Sequence, residues 1–153
     1  MKQSMSFANG FIKAFSEAGT GLLMLDNPQR KNAVTAAMWR AIPEAIQWLH
    51  VEGEARVIVL SGGGASDFSA GADISEFTEL RKDAATARVY EASNSRAFAA
   101  IREAPVPIIA AIRGICYGGG FGLAAAADLR IAASDAVFAV PAARLGLAYP
   151  ADA

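Results

Sequence analysis

The sequence is poor in the residues that most often carry side-chain chemistry. Its 153 residues include one cysteine, Cys116, and one histidine, His50. A single cysteine excludes an intramolecular disulfide framework and any zinc site built from several cysteines. A single histidine removes most of the metal sites and catalytic triads that depend on imidazole groups. We therefore expect no metal centre.

No charge of one sign predominates. The chain has 14 lysines and arginines against 15 aspartates and glutamates, a net charge of -1. This balance gives no support to binding of nucleic acid or of a membrane surface. With 54% hydrophobic residues the chain also differs from disordered proteins. We predict a single well-cored domain over residues 1–153.

Long apolar runs are missing as well. The longest uncharged apolar run, residues 114–127, is interrupted by glycines and is shorter than the ~20 residues of a membrane-spanning helix. Residues 1–9 lack the apolar core of a signal peptide. We expect a cytoplasmic protein with no membrane partner, and a reducing compartment suits its lone thiol.

Apolar runs alternate with helical patterns along the rest of the chain. Residues 11–15 and 21–25 predict a hairpin. Apolar positions at helical spacing predict a helix over residues 38–49, which Pro43 is expected to interrupt. The remaining predicted strands are 57–60, 108–112, 129–132 and 137–140, and the remaining helices are 84–103 and 119–127. Continuous apolar strands separated by helices indicate an α/β fold.

A glycine cluster at residues 118–122 has three interpretations. The small residues could let a helix pack tightly on a strand. Residues 120–125 match the dinucleotide-binding pattern G-x-G-x-x-A, but Asp135 is the only acidic residue between Arg130 and Ala151, and the match lies far from a first βαβ unit. Alternatively, unobstructed backbone N–H groups at a helix start could bind an anion.

A second glycine-containing loop, residues 68–73, follows the preceding buried strand. If both loops leave parallel strands at the same edge of the sheet, they can direct two N–H donors at one oxygen. Such an oxyanion hole needs no side-chain chemistry.

Several motifs follow one another over most of the chain. They are Asn27-Pro28 with Lys31-Asn32-Ala33, then residues 57–62, 68–74, 107–128, 128–132 and 138–141, and Leu145-Gly146. In this order they resemble the crotonase superfamily, also called the enoyl-CoA hydratase/isomerase family. The resemblance implies a crotonase-like spiral of ββα turns that binds an acyl-CoA thioester in a bent conformation. It also implies lyase or isomerase activity without a cofactor beyond the CoA of the substrate.

The resemblance assigns roles to individual positions. Ala72 and Gly119 would supply the two backbone N–H groups that hold the thioester oxygen. The positions matching the CoA and acyl path are Lys31, Ala33, Ala70, Asp73, Ile74, Tyr117, Pro141 and Leu145. For some of them another interpretation stays open, since Ala70 and Ile74 could be packing residues and Lys31 a solvated charge.

The chain departs from the family at the acid and base positions. Hydratases of this family use two glutamates, and the corresponding positions here are Gly122 and Ala142. Tyr149 and Asp152 are candidate replacements for proton transfer. Three functions remain open: hydratase/isomerase chemistry; another family reaction such as decarboxylation, ring formation or a double-bond shift; and noncatalytic binding of acyl-CoA.

The resemblance also concerns assembly. Family members continue into a helical C-terminal region that closes the acyl pocket and builds a trimer. We expect the domain of residues 1–153 to be incomplete at its C-terminal end, with apolar surface left uncovered. The expected assembly is a homotrimer or a hexamer formed as a dimer of trimers.

Overall fold

A six-stranded sheet lies at the centre of the computed structural model, which describes residues 2–149. The order of its strands is β1-β2-β3-β4-β5-β7, and β6 and β8 form a second, two-stranded sheet. β1, β2 and β3 pair antiparallel, and every later pair is parallel. The strands are Gln3–Phe7 (β1), Ile12–Glu17 (β2), Thr20–Leu25 (β3), Val57–Gly62 (β4), Ile108–Ile112 (β5), Ile115–Tyr117 (β6), Leu129–Ala132 (β7) and Val137–Ala139 (β8).

Four α-helices connect and cover these strands. They are Ala36–Val51 (α1), Phe77–Leu80 (α2), Ala84–Arg102 (α3) and Gly119–Ala126 (α4). β5, β6 and α4 follow one another as a ββα turn, with β5 in the large sheet and β6 in the small one. β7 and β8 repeat this division between the two sheets. The predicted α/β spiral is therefore confirmed.

Most predicted elements are confirmed to within a few residues, and three expectations are corrected. β1 was not predicted because its five residues are polar or largely exposed, and β6 was not predicted because it is only three residues long and adjoins the glycine cluster. Pro43 does not interrupt α1, which runs continuously through it. The apolar stripe on both sides of Pro43 is buried, and this packing outweighs the missing backbone hydrogen bond.

The helix α1 is the main support of the site described below. Its N-cap, Thr35, accepts a hydrogen bond from the N–H of Met38 at 3.2 Å. The N–H of Ala36 donates to the Glu76 carboxylate at 2.7 Å, which ties the helix start to the loop that follows β4. Trp39 is fully buried and packs edge-to-face on Phe98 of α3, with ring centroids 5.5 Å apart. α1 and α3 thus form one packed unit.

At the other end of the large sheet, β7 is an edge strand whose four residues are all exposed. Its Ile131 side chain is 65% exposed, and five further large apolar residues of this region are also exposed: Leu129, Val137, Phe138, Val140 and Leu145. Within residues 2–149, no helix is both long enough and apolar enough to cross a membrane.

Candidate functional site

The loop after β4 pairs with Val34 through backbone hydrogen bonds, and one backbone N–H of this loop points away from Val34. The N–H of Val34 donates to the carbonyl of Gly71 at 2.7 Å, and the N–H of Asp73 donates to the carbonyl of Val34 at 3.0 Å. Ala72 sits between these two bonds in a parallel bridge to Val34. In this geometry the N–H of Ala72 points to the opposite side of the loop.

A second backbone N–H lies next to that of Ala72. Gly119 is the first residue of α4, so its N–H has no partner within the helix. A Cβ built on Gly119 would lie 3.5 Å from the nitrogen of Ala72. Within residues 2–149, neither N–H donates a hydrogen bond. The pair can therefore supply two donors to a single oxygen, as an oxyanion hole requires.

Two glycines permit this close approach. Gly71 has a φ of +96°, and a Cβ there would lie 2.7 Å from the carbonyl oxygen of Tyr117. A Cβ at Gly119 would lie 2.8 Å from Cζ2 of the Trp39 ring. Any side chain at either position would force the two loops apart or displace Trp39.

Ala72 and Gly119 both line a cavity of about 130 Å³. Of the predicted site residues, the structure brings seven together in its wall: Ala70, Ala72, Ile74, Gly119, Pro141, Leu145 and Tyr149. Ala142, at one of the two family glutamate positions, also lines the cavity.

The other family glutamate position, Gly122, is already surrounded. A Cβ at Gly122 would lie 2.8 Å from the Tyr149 hydroxyl and 2.8 Å from a ring carbon of Phe98. The Tyr149 hydroxyl donates to the carbonyl of Gly118 at 2.8 Å. Burial raises the pKa of Tyr149, and the nearby Cys116 adds to this effect, so the phenol is neutral near pH 7.

Other predicted residues lie beside the cavity rather than in its wall. Lys31 is exposed, and its carbonyl accepts from the N–H of Ala70 at 2.9 Å. Ala33 is buried in the core, and the Tyr117 side chain is half-buried. Asp152 lies outside the described residues. The thiol of Cys116 is fully buried, which raises its pKa to about 12.

Asp73 belongs to a polar cluster at the outer side of the loop. Its carboxylate accepts from the guanidinium of Arg30 at 3.0 Å and from the hydroxyl of Ser75 at 2.7 Å. Burial by itself would raise the pKa of Asp73, but the hydrogen bonds from Ser75 and the charge of Arg30 together lower it. The ionised carboxylate thus holds the loop that presents Ala72.

Sequence reasoning did not assign several residues of the cavity wall, which come from α1, α2, α3 and the loop between α2 and α3. They are Trp39, Phe77, Arg81, Tyr90, Glu91, Asn94 and Phe98. One signal in the sequence could have found them. Tyr90 and Asn94 interrupt the otherwise apolar stripe of the predicted helix over residues 84–103 with two polar groups, four residues apart. Such groups on a core-facing stripe need partners or line a cavity.

Sequence comparison relates this chain to known proteins. The sequence model of the family described as Enoyl-CoA hydratase/isomerase matches residues 16–152. The chain is 39% identical over 129 residues to carnitinyl-CoA dehydratase from Salmonella enteritidis and 34% identical over 135 residues to mouse mitochondrial Delta(3,5)-Delta(2,4)-dienoyl-CoA isomerase. These alignments each cover 82% of this chain.

The fold is similar to that of solved structures as well. An enoyl-CoA hydratase/isomerase family protein from Hyphomonas neptunium superposes with a TM-score of 0.90 at 38% sequence identity, covering 95% of this chain and 56% of that one. The chain spans 46% of the length of the dehydratase and 41% of that of the isomerase. It therefore corresponds to about half of each relative.

Proposed function

Because the chain belongs to the enoyl-CoA hydratase/isomerase family, we propose that it binds an acyl-CoA thioester and stabilises the thioester enolate through the N–H groups of Ala72 and Gly119. The observation that carries this proposal is the adjacency of two N–H donors that have no acceptor in the described part of the chain, on two residues that line a cavity. A negative charge that develops on the thioester oxygen gains both hydrogen bonds, and each such donor contributes about 10²–10³ in rate.

Proton donation to the enolate is the role proposed for Tyr149. Its hydroxyl lies beside the position where family hydratases carry a glutamate, and Tyr149 lines the same cavity as Gly119. The neutral phenol donates a proton at Cα after the addition of water, or at Cγ in a double-bond shift, and regains a proton from solvent. Because a neutral phenol is a poor base, the proton lost by the attacking water or by Cα goes to solvent, so Tyr149 by itself favours neither reaction.

A second candidate is a noncatalytic acyl-CoA-binding subunit. The observation that favours it is the pair Gly122 and Ala142, neither of which can transfer a proton. In that case the cavity and its two N–H donors serve binding alone.

Turnover of two short thioesters separates these possibilities. Hydration of crotonyl-CoA removes the absorbance of the conjugated thioester, whereas isomerisation of 3-butenoyl-CoA to crotonyl-CoA creates it. Turnover of either thioester supports enoyl-CoA hydratase/isomerase-type chemistry. Binding of both thioesters by calorimetry without any turnover supports the noncatalytic alternative. If neither thioester binds more tightly than free CoA, the proposal is wrong.

Self-association is part of the proposal, as a homotrimer or a dimer of trimers. It is supported by the exposed apolar residues of β7 and β8, because patches of this kind on soluble proteins are commonly interfaces. Light scattering coupled to gel filtration measures the mass in solution. A monomer at all concentrations tested contradicts it.

A further inference from the structure

One wall of the cavity carries polar groups that the proposed enolate chemistry does not use. The indole N–H of Trp39 and the Nε–H of Arg81 are both buried, and neither has a hydrogen-bond acceptor within residues 2–149. Both residues line the cavity together with Tyr90 and Asn94. A buried donor without an acceptor is destabilising, and such groups in native proteins usually have a partner.

The Tyr90 side chain belongs to this group. Burial raises the pKa of Tyr90, and this effect exceeds the opposite influence of hydrogen bonding from Asn94 and Trp39 and of the Arg81 charge. The phenol is therefore neutral near pH 7 and keeps a proton to donate. Because the Trp39 indole N–H faces the Tyr90 oxygen, Arg81 and Tyr90 are the two residues of this wall with a donor available to a ligand.

The position of Arg81 decides which chemistry suits this wall. Its guanidinium lies over the Phe77 ring at 4.9 Å and the Tyr90 ring at 5.4 Å from the centroids. One Nη donates to the Glu91 carboxylate at 3.0 Å. The aromatic faces that could attract a cationic ligand already hold a cation, so a positively charged acyl group is disfavoured. The unused Nε–H favours an oxygen acceptor.

From these contacts we infer that the acyl group of the substrate carries an oxygen acceptor, a hydroxyl or a carboxylate, at its end remote from the thioester. This inference rests on the proposed function, because it concerns the acyl chain of the same CoA thioester. The acceptor binds to the hydroxyl of Tyr90 and the Nε–H of Arg81.

Three saturated thioesters of equal chain length test the inference by calorimetry: pentanoyl-CoA, 5-hydroxypentanoyl-CoA and glutaryl-CoA. They differ only at the fifth carbon, which is a methyl, a hydroxymethyl or a carboxylate group. We expect at least one of the two oxygenated thioesters to bind about tenfold or more tightly than pentanoyl-CoA. Preference for the hydroxyl identifies a neutral acceptor, and preference for the carboxylate identifies an anionic one.

Variants on the full 153-residue chain assign the preference to this wall. Tyr90→Phe removes one donor and keeps the ring, and Arg81→Met removes the guanidinium and keeps an unbranched stem. We expect each to reduce the preference for the oxygenated thioester several-fold while the affinity for pentanoyl-CoA changes little. The matched control is Arg88→Met, an exposed arginine of α3 outside the cavity wall, which should leave the preference unchanged.

The outcomes separate the two proposals. Equal affinity for all three thioesters, or a preference that survives both wall variants, overturns the inference and leaves the proposed function standing. If pentanoyl-CoA and both oxygenated thioesters bind no better than free CoA, the proposed function fails first. Circular dichroism of each variant verifies that it is folded before its affinities are compared.

Discussion

The hydroxyl of Tyr149 occupies the space that a side chain at Gly122 would need. A Cβ on Gly122 would lie 2.8 Å from that hydroxyl, closer than real Cβ contacts. A phenol therefore lies at the position where the family resemblance predicts a glutamate side chain. Under the proposed function this phenol is the proton donor beside the cavity.

Substitution of Gly122 by alanine tests this packing. Alanine favours a helix over glycine by ~1 kcal/mol, so an open position would become more stable. Because the added methyl group meets Tyr149 and Phe98, we expect Gly122→Ala instead to lower the free energy of unfolding by about 1–3 kcal/mol. Urea denaturation measures the change. An unchanged or raised midpoint shows that the space at residue 122 is open.

Removal of the Tyr149 hydroxyl tests its role in proton transfer. Tyr149→Phe keeps the ring against α4 and removes the acid, and we expect turnover of 3-butenoyl-CoA to fall by about 10²–10⁴ with little change in thioester affinity. Tyr117→Phe is the matched control, because the Tyr117 side chain does not line the cavity. A similar loss of turnover in both variants contradicts a specific role for Tyr149.

The pH dependence follows from the raised pKa of Tyr149. The neutral phenol is the active form, so its deprotonation lowers the rate, and burial moves that step above pH 10. We expect no alkaline loss of turnover from this group between pH 7 and 9. The contradicting result is a rate that declines between pH 7 and 9 in the wild type but not in Tyr149→Phe. It would mean that Tyr149 loses its proton in this interval and cannot be the neutral donor proposed.

Two substitutions at Gly119 separate the backbone donor from the space around it. Both alanine and proline place a Cβ against Trp39, but only proline removes the N–H. Proline is tolerated at the first position of a helix, which Gly119 occupies in α4. We expect Gly119→Pro to be about 10²–10³ slower than Gly119→Ala. Equal rates in the two variants would exclude the N–H of Gly119 from catalysis.

Asp73→Asn tests the loop that presents Ala72. The pKa of Asp73 is lowered in the folded chain from an ordinary value of 3.8, so ionisation of this carboxyl favours folding above that value. The contribution is lost as pH falls through the lower folded pKa. Arg30 is largely exposed, so most of the effect comes from the hydrogen bonds to Ser75.

We therefore expect Asp73→Asn to lower the free energy of unfolding by about 1–3 kcal/mol at pH 7 and by much less near pH 2. Urea denaturation at the two pH values measures both differences. If Asp73→Asn lowers the free energy of unfolding equally at both pH values, the carboxylate charge does not stabilise the loop.

Local sequence patterns were sufficient for most of the fold. Short apolar runs predicted β4 and β5, and an apolar stripe at helical spacing predicted α1. Such patterns suffice because burial of one face of an element sets the spacing of its apolar residues. The pattern was insufficient at Pro43. There the cost of one missing hydrogen bond had to be weighed against tertiary packing, which a local sequence does not contain.

The sequence by itself predicted Ala72 and Gly119 as candidate backbone donors, because glycine-containing loops in a fixed order resemble one family and backbone donors need no particular side chain. Tertiary structure alone decided what surrounds them. Trp39 and Tyr90 lie on separate helices, and they meet at the cavity only because α1 packs on α3. The Tyr149 hydroxyl lies beside Gly122 although the two residues are 27 positions apart in sequence. No local pattern encodes this proximity, because it depends on how successive turns of the spiral stack.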